Sequence, residues 1–262
     1  MEVQRYSCGI VTTKKDSSYE SLIVSRTNFP FAIILRNQCS ENSITQTGNI
    51  MVIRSTDTGA SKNRNEVIKK IETEYFFILD DDVSLAEDCL KCLNTIIDRN
   101  HPDVISFNLD TINKDRENPK KIQKDGWVKR MKMVTFLGPC NLCIRKDFIK
   151  EKNVYFNENF GPGTPYPIGE DSAFVVNLFK NTKRWFQTKE TLVKVLQNES
   201  TYFDSINEET IIKCKGITYY SIYKICWFIP FIIKSKRFLK TIKLIKALRI
   251  AKKEIKAVKP IL

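Results

Sequence analysis

Histidine is nearly absent from this chain of 262 residues, where His101 stands alone. That excludes a histidine-rich metal site and any catalytic scheme built on two histidines. Glycine is scarce, at 9, which excludes a collagen-like repeat. No apolar run reaches the roughly 20 residues of a membrane-spanning helix. The longest, 225–233, is interrupted by Pro230. Residues 1–13 carry Glu2 and no long apolar stretch before a small-residue cleavage site. No secretory signal is therefore expected, and the expected location is the cytoplasm.

Acidic residues almost vanish from the C-terminal stretch. Residues 213–262 hold one acid, Glu254, against 14 Lys and Arg, and so carry the whole formal charge of +13. The stretch 1–212 is balanced. The chain reads as a neutral body with a basic tail, and the tail calls for an anionic partner. With 42% hydrophobic and 28% charged residues, the body has ordinary globular composition. Its length suffices for a large core.

The cysteines number 8 and include two C-x-x-C pairs, Cys89/Cys92 and Cys140/Cys143. Such pairs invite a zinc reading. Here one lies in a helical pattern and the other in a strand-like one, far apart in sequence. They read instead as buried free thiols that pack like small hydrophobes.

The body alternates strands and helices. Short β-branched or apolar runs at 7–13, 31–35, 50–53, 75–79 and 104–109 predict strands. The spacing predicts helices over 61–74, over 84–98 with Ser84 as its N-cap, and over 170–181. Residues 113–130 are polar and read as a loop. Further strands are expected at 133–137 and 142–144, then a Gly/Pro-rich stretch over 154–169. This alternation argues for a doubly wound, mostly parallel α/β sheet.

Three features carry chemistry. Asp80, Asp81 and Asp82 directly follow the apolar strand YFFIL. Carboxylates at the carboxyl end of a buried strand face the crevice where open α/β sheets bind ligands. Three adjacent acids repel, and a hard cation such as magnesium or manganese relieves them while binding a nucleotide's diphosphate. Taken alone, such a triplet could equally be a helix-start acid cluster. Second, Gly59-Ala60-Ser61-Lys62-Asn63-Arg64 opens the helix that feeds this strand. Gly59, Ser61 and Arg64 suit an anion at a helix N-terminus, and the alternative is a capped, solvated helix start. Third, Gly161, Gly163 and Gly169 punctuate a loop that leads into Glu170 and Asp171. The loop suits closure over a substrate and the acid suits a general base, although acids in a first turn are favourable without chemistry.

With these motifs in this order, residues 6–180 resemble glycosyltransferase family 2 proteins of GT-A fold. The stretch GASKNRNEVIKKIETEYFFILDDDV is similar to the family's run from a Gly–Arg helix into its DXD strand. The stretch FGPGTPYPIGEDSAF is similar to its acceptor-side loop and Glu-Asp motif. The resemblance implies a Rossmann-like, mostly parallel central sheet with flanking helices, over 1–212, plus an amphipathic helical tail over 213–262. It implies inverting transfer from a nucleotide-diphosphate sugar, a UDP-sugar first among them, to a lipid-linked or oligosaccharide acceptor in bacterial surface-polysaccharide assembly. Asp82, with Asp80, would hold Mn2+ or Mg2+. Thr12, Thr13, Arg64, Asp80 and Asp81 would line the nucleotide-sugar pocket. Where the family usually has an Asp after the second strand to read the base, this chain has Arg36-Asn37, and Asn37 can hydrogen-bond an imide edge. Asp171 would be the base and Glu170 its neighbour. His101 precedes Pro102 in a turn and is not expected to bind the metal.

The tail begins with the aromatic, apolar run 219–233 and continues as an expected helix over 237–258. There Leu244, Ala247, Leu248, Ala251, Ile255 and Val258 share one arc, opposite Lys246, Arg249, Lys252, Lys253 and Lys256. This profile suits an interfacial helix, so residues 219–258 are expected on an anionic membrane, on the inner face of the cell membrane. The other reading packs the apolar arc on the body. No nucleic-acid motif accompanies the charge, and no nucleic-acid partner is expected. Two rival functions remain: a non-catalytic GT-A-like module docked at the membrane, and a sugar nucleotidyltransferase. The latter lacks its Gly-rich loop after the first strand.

Overall fold

The computed structural model describes residues 5–13, 16–27, 31–111, 120–196 and 206–258. Its first half comprises β1 (Tyr6–Thr13), α1 (Ser17–Thr27), β2 (Ala32–Gln38), β3 (Ser43–Thr47), β4 (Ile50–Ser55), α2 (Ala60–Lys70) and β5 (Tyr75–Asp80). Next come β6 (Val83–Leu85), α3 (Cys89–Asn100), β7 (Val104–Thr111), β8 (Gly126–Trp127), β9 (Leu142–Arg145), α4 (Lys146–Lys152), α5 (Glu170–Asn181) and β10 (Trp185–Val195). The chain then runs through α6 (Glu208–Tyr223), α7 (Phe228–Lys234) and α8 (Leu244–Val258).

Among the described residues the strands form one sheet, ordered β3-β4-β2-β1-β5-β9-β7-β10-β6, with β8 on β10. Strands β4, β2, β1 and β5 run parallel. Strand β9 lies antiparallel between β5 and β7, and β10 returns parallel to β7. The near-continuous apolar strand β5 is buried from Tyr75 to Leu79 because helices cover both faces of the sheet. One face packs Val67, Ile68, Phe148, Phe174 and Leu178 against it, and the other packs Ile23, Leu93, Ile96 and Ile97. Strand β1 pairs with β2 on one side and β5 on the other, while the chain visits β2 and β4 before β5. The direction of winding thus reverses between β1 and β5, and the carboxyl ends of these two strands border the crevice that results.

Several expected elements differ. Ser84 caps no helix; it lies in β6, paired with Lys194 of β10, and α3 begins only at Cys89. The expected strand 133–137 is instead a string of tight turns, with Val134 N–H donating to Met131 O and Leu137 N–H to Val134 O, 3.0 Å each. That period of three buries Val134 and Leu137 and leaves Thr135 and Phe136 between them half-buried. Helix α2 stops at Lys70 rather than reaching residue 74. Part of the expected loop 113–130 lies outside the described residues; its later part forms β8. Helices α1 and α4 and strands β3 and β10 were not expected. The two C-x-x-C pairs lie as their patterns suggest, on α3 and beside β9, with Cys89 and Cys143 buried and Cys92 and Cys140 half-buried.

The tail departs most from expectation. Residue 212 falls inside α6, so the drawn boundary cuts a helix. The expected helix 237–258 begins only at Leu244, because the Glu208 carboxylate gathers the backbone N–H groups of Lys240, Thr241 and Ile242 into a turn at 2.7–3.1 Å. The Thr241 hydroxyl, donating to the same carboxylate at 2.6 Å, and these backbone bonds hold the Glu208 carboxyl down at about 2. The apolar arc of α8 does not face outward. Ala247, Ala251, Ile255 and Val258 are buried against α6, with Phe231 of α7 and Phe160 closing the same cores. The exposed apolar surface lies instead around α7, at Ile225, Phe228, Ile229, Ile232 and Ile233, with Ile245 at the start of α8. Among the described residues no helix is long and apolar enough to cross a membrane.

Gly216 is the point of closest approach between α6 and α8. A Cβ there would lie 2.6 Å from Ala251 Cβ and 3.2 Å from its Cα. Gly216→Leu is therefore expected to lower stability by about 1–3 kcal/mol through overpacking, read as a lower melting temperature and faster proteolysis within α8. An unchanged melt would contradict this packing.

Candidate active site

Helix α2 turns polar residues inward. Asn63, Arg64 and Asn65 are all buried, and each ties the helix to a different neighbour. Asn63 accepts from Arg36 Nε at 2.8 Å and donates to Gln38 Oε1 at 3.2 Å. Asn65 exchanges two 2.9 Å bonds with the backbone of Phe156. Between them the Arg64 guanidinium lies 5.3 Å from the centroid of the Phe156 ring, itself stacked on Phe174 at 3.8 Å.

Arg64 is the hub of the cleft. Its Nη1 donates to Asp171 Oδ1 at 2.9 Å and its Nη2 to Asp80 Oδ1 at 3.1 Å, with Glu170 Oε1 at 3.8 Å from Nη1. The carboxyl end of β5 and the first turn of α5, far apart in sequence, thereby meet on one cation. The Arg64 side chain is 10% exposed, whereas those of Asp80 and Asp171 are 50% and 44% exposed and open onto the cleft. Cys140 Sγ approaches Asp80 Oδ2 at 3.6 Å, and Thr12 donates to Asp81 Oδ2 at 2.5 Å. Asp82 is fixed through its backbone, its carbonyl accepting from Leu196 N–H at 2.7 Å.

Charge is unbalanced here. Asp80, Glu170 and Asp171 share Arg64, with Asp81 and Asp82 nearby in the chain. Burial works against the Arg64 charge, but Asp171, Asp80 and Glu170 outweigh it and hold its pKa above the ordinary value. Burial raises the Asp171 carboxyl above the usual range; Arg64 pulls it down and Asp80 pushes it up. Glu170 is pushed up to about 7 by burial and by Asp171, against the pull of Arg64. An excess of carboxylate oxygen suits a hard divalent cation. Among the described residues no group of three or more His, Cys, Asp and Glu is arranged to hold one. Magnesium sites completed by substrate phosphates need only one or two protein carboxylates.

Several expected pocket residues are committed elsewhere. Asn37 is fully buried and its amide donates to Glu20 at 2.6 Å, so it does not face a nucleobase. Arg36 is buried as well, bonded to Asn63 and paired with Asp57 at 3.4 Å. Ser61 donates to Phe160 O at 2.6 Å, Ala60 N–H to Pro162 O at 3.0 Å, and Gly59 N–H to Gln38 Oε1 at 3.3 Å. The start of α2 therefore anchors the Gly161–Gly163 loop instead of presenting free donors to an anion. Thr12 is buried and engaged with Asp81, and Thr13 is exposed at the strand end. Gly169 precedes α5 at φ 111°, and a Cβ there would meet Thr218 Oγ1 at 2.1 Å; only glycine lets Glu170 and Asp171 sit this close to α6. His101 ends α3 and precedes β7, at the sheet end opposite Asp82. The sequence reading missed Cys140 and Phe156, which touch the Asp80–Arg64 pair across gaps of 60 and 92 residues; hydrophobic patterning carries no signal for such contacts.

The model of the glycosyl transferase family 2 matches residues 19–159, which include Arg64 and Asp80–Asp82 but stop short of Glu170. The chain is similar to crystal structures of S. aureus TarS. For TarS 1-349 in complex with UDP-GlcNAc the TM-score is 0.72 at 18% identity, covering 97% of this chain and 81% of that one. For the complex with UDP it is 0.67 at 18% identity, covering 95% and 81%. For the longer TarS structure it is 0.62 at 16%, covering 92% of this chain and 46% of that one. The similarity shows a shared GT-A fold. No curated protein matches.

Glu170 yields a pH test. Its folded pKa lies above the unfolded value of about 4.3, so its ionised form opposes folding. That penalty is absent at low pH and grows as pH rises through 7. Glu170→Gln is expected to stabilise the fold by about 1–3 kcal/mol near pH 8, fading towards pH 5. Melting curves at the two pH values measure it; an equal difference at both would refute the raised pKa.

Proposed function

The chain belongs to glycosyl transferase family 2, and from that premise we propose that it is an inverting, nucleotide-sugar-dependent glycosyltransferase. The observation that carries this reading is Arg64, which draws a β5 carboxylate and an α5 carboxylate into one cleft where the sheet's winding reverses. The bound UDP-GlcNAc and UDP of the TarS structures support a nucleotide diphosphate donor, a UDP-sugar in particular.

In this reading the donor diphosphate lies against Arg64, whose fixed charge opposes the negative charge that develops on the leaving group. Asp171 accepts the proton of an acceptor hydroxyl as its oxygen attacks the anomeric carbon. A single displacement of this kind inverts the anomeric configuration. Its raised pKa suits Asp171 to the task, because a stronger base draws the proton further. Glu170 shares the Arg64 charge and modulates its neighbour. Asp82 and Asp80 would hold Mg2+ or Mn2+, which when bound would neutralise part of the diphosphate charge. Phe156 keeps water from the buried side of the guanidinium.

The acceptor we infer is a hydroxyl of a lipid-linked glycan in surface-polysaccharide assembly. The apolar residues around α7 support placement against the inner face of the membrane, since a patch of Phe228, Ile229, Ile232 and Ile233 beside Lys234 suits the boundary of an anionic leaflet. This replaces the outer arc of α8 as the membrane contact.

Asp171→Asn is expected to retain UDP-sugar binding and to lose about 100- to 10,000-fold in transfer. Unchanged transfer would remove Asp171 as base. In the wild type, kcat/KM should rise with pH along a limb set by Asp171 and lying above the ordinary Asp range of about 4, because the protonated carboxyl cannot accept the hydroxyl proton. Thermal stabilisation by UDP should require added manganese or magnesium and vanish with a chelator; stabilisation indifferent to metal would remove Asp80 and Asp82 as its ligands.

A further inference from the structure

A second charged site lies beside the first turn of α5, and Arg64 is not part of its lining. It is a cavity of about 280 Å³ whose wall includes Ser172, Lys215, Thr218, Tyr219, Lys234 and Arg237. Ser172 directly follows Asp171. Lys215 is close enough to Glu170 to feel its charge. The cavity and the cleft thus share the first turn of α5.

Its three cations form no ion pair among the described residues, and only Lys215 feels a carboxylate, that of Glu170. Among the described residues no carboxylate lies within 4.0 Å of Lys215, Lys234 or Arg237, although Lys213 on the same helix pairs with Glu209 at 2.9 Å. Burial and the neighbouring Lys234 depress the Lys215 pKa, and burial and Arg237 depress that of Lys234. Three like charges gathered in a concavity oppose one another, and a polyanion would relieve all three. Lys234 Nζ also lies 5.7 Å from the centroid of the Tyr219 ring, which floors the same space. Thr218 also lines the cavity, but its buried, unpartnered hydroxyl packs against Gly169.

We propose that this cavity is an acceptor subsite that binds a phosphate ester carried by the acceptor, held by Lys215, Lys234 and Arg237. The inference rests on the glycosyltransferase reading and names the acceptor's chemical class. The donor diphosphate has its own cation, Arg64, on the β5 side of Asp171. An anion in this second cavity would arrive from the acceptor side. Lys234 ends α7, whose exposed apolar residues precede it, so a membrane under α7 would bring the cavity to phosphate depth. A lipid-linked acceptor has its phosphates at that depth.

The test is lysine footprinting of the full chain with an acylating ester, read by mass spectrometry, with UDP and manganese at saturation to fill the donor site. The probes are glycerol 3-phosphate, vesicles of phosphatidylglycerol and vesicles of phosphatidylcholine. At ten times its Kd, glycerol 3-phosphate should slow labelling of Lys215 and Lys234 about tenfold, with exposed Lys91 and Lys252 unaffected. Arg237→Ala, an exposed position that the fold tolerates, should weaken that protection about tenfold, and Arg237→Lys should restore most of it. Equal slowing at Lys91 and Lys252 would mark an adventitious ion only and overturn the proposal. So would protection by phosphatidylglycerol vesicles alone, which would make the site a membrane contact, and so would no protection by any probe. The UDP-induced thermal shift on the same protein reports the donor site separately: its absence would sink the glycosyltransferase reading, whereas its presence without a footprint sinks only the acceptor subsite.

Discussion

Burying a guanidinium is costly unless carboxylates meet it with good geometry, and Arg64 meets that condition only if two distant parts of the chain converge. Asp80 arrives at the end of β5, and Asp171 arrives at the start of α5 after the chain has passed through α3, β7, β9 and α4. Removing either partner would leave charge stranded in a half-dry cleft. Asn63 and Asn65 prevent α2 from rotating to spare Arg64 that burial, because they bind β2 on one side and the Phe156 backbone on the other. The cleft is therefore a consequence of how α2 is fastened, and its electrostatics follow from one cation serving several acids.

The loop between Phe160 and Gly169 is fastened just as closely, and here the tail takes part. Ser61 holds the loop at Phe160, whose ring shares a core with Ile217, Ile255 and Val258. Tyr166 donates to Glu254, the single acid of the basic tail, at 3.0 Å. At its end, Gly169 fits against Thr218 of α6. The tail thus braces the segment that carries Glu170 and Asp171, so a load on α7 or α8 reaches these two acids through packed side chains. In the proposed reading, a membrane contact on α7 and the base would belong to one mechanical arrangement.

The alternation of β5 with its flanking helices was legible because a strand buried on both faces must be apolar throughout, and YFFIL is. The span of α5 was legible from the Gly169 start and the apolar period that follows. The role of α2 was legible only in part. Arg64 stood out as an anion binder, yet nothing marked Asn63 and Asn65, since a helix that buries its polar face shows no apolar stripe. Asn37 was expected at a nucleobase from the resemblance to the family, and its burial, which depends on Glu20 in α1, left no trace in the local pattern. The α8 arc carried the correct pattern with two physical meanings, because a membrane and the face of α6 both reward an apolar stripe. Only the glycine at 216, small enough to admit Ala251, tells them apart, and its meaning appears once the partner helix is known.

The uneven charge of the chain acquires a spatial sense. The neutral body gathers acids at the end of β5 and the start of α5, and the basic tail turns Lys246, Lys252, Lys253 and Lys256 to solvent along α8 while holding Lys215 and Lys234 half-buried. The first turn of α5 borders both fields. A transferase that brings a nucleotide diphosphate and a phosphate-bearing acceptor together must overcome their mutual repulsion, which in a low-dielectric cleft is larger than in water. Separate cations for each, with the acidic Glu170–Asp171 turn interposed, would keep each anion paired to its own counter-charge. The turn would then face positive charge from both Arg64 and Lys215. Arg64 favours the ionised form of both carboxylates against the burial that raises them, and that is the form a general base requires.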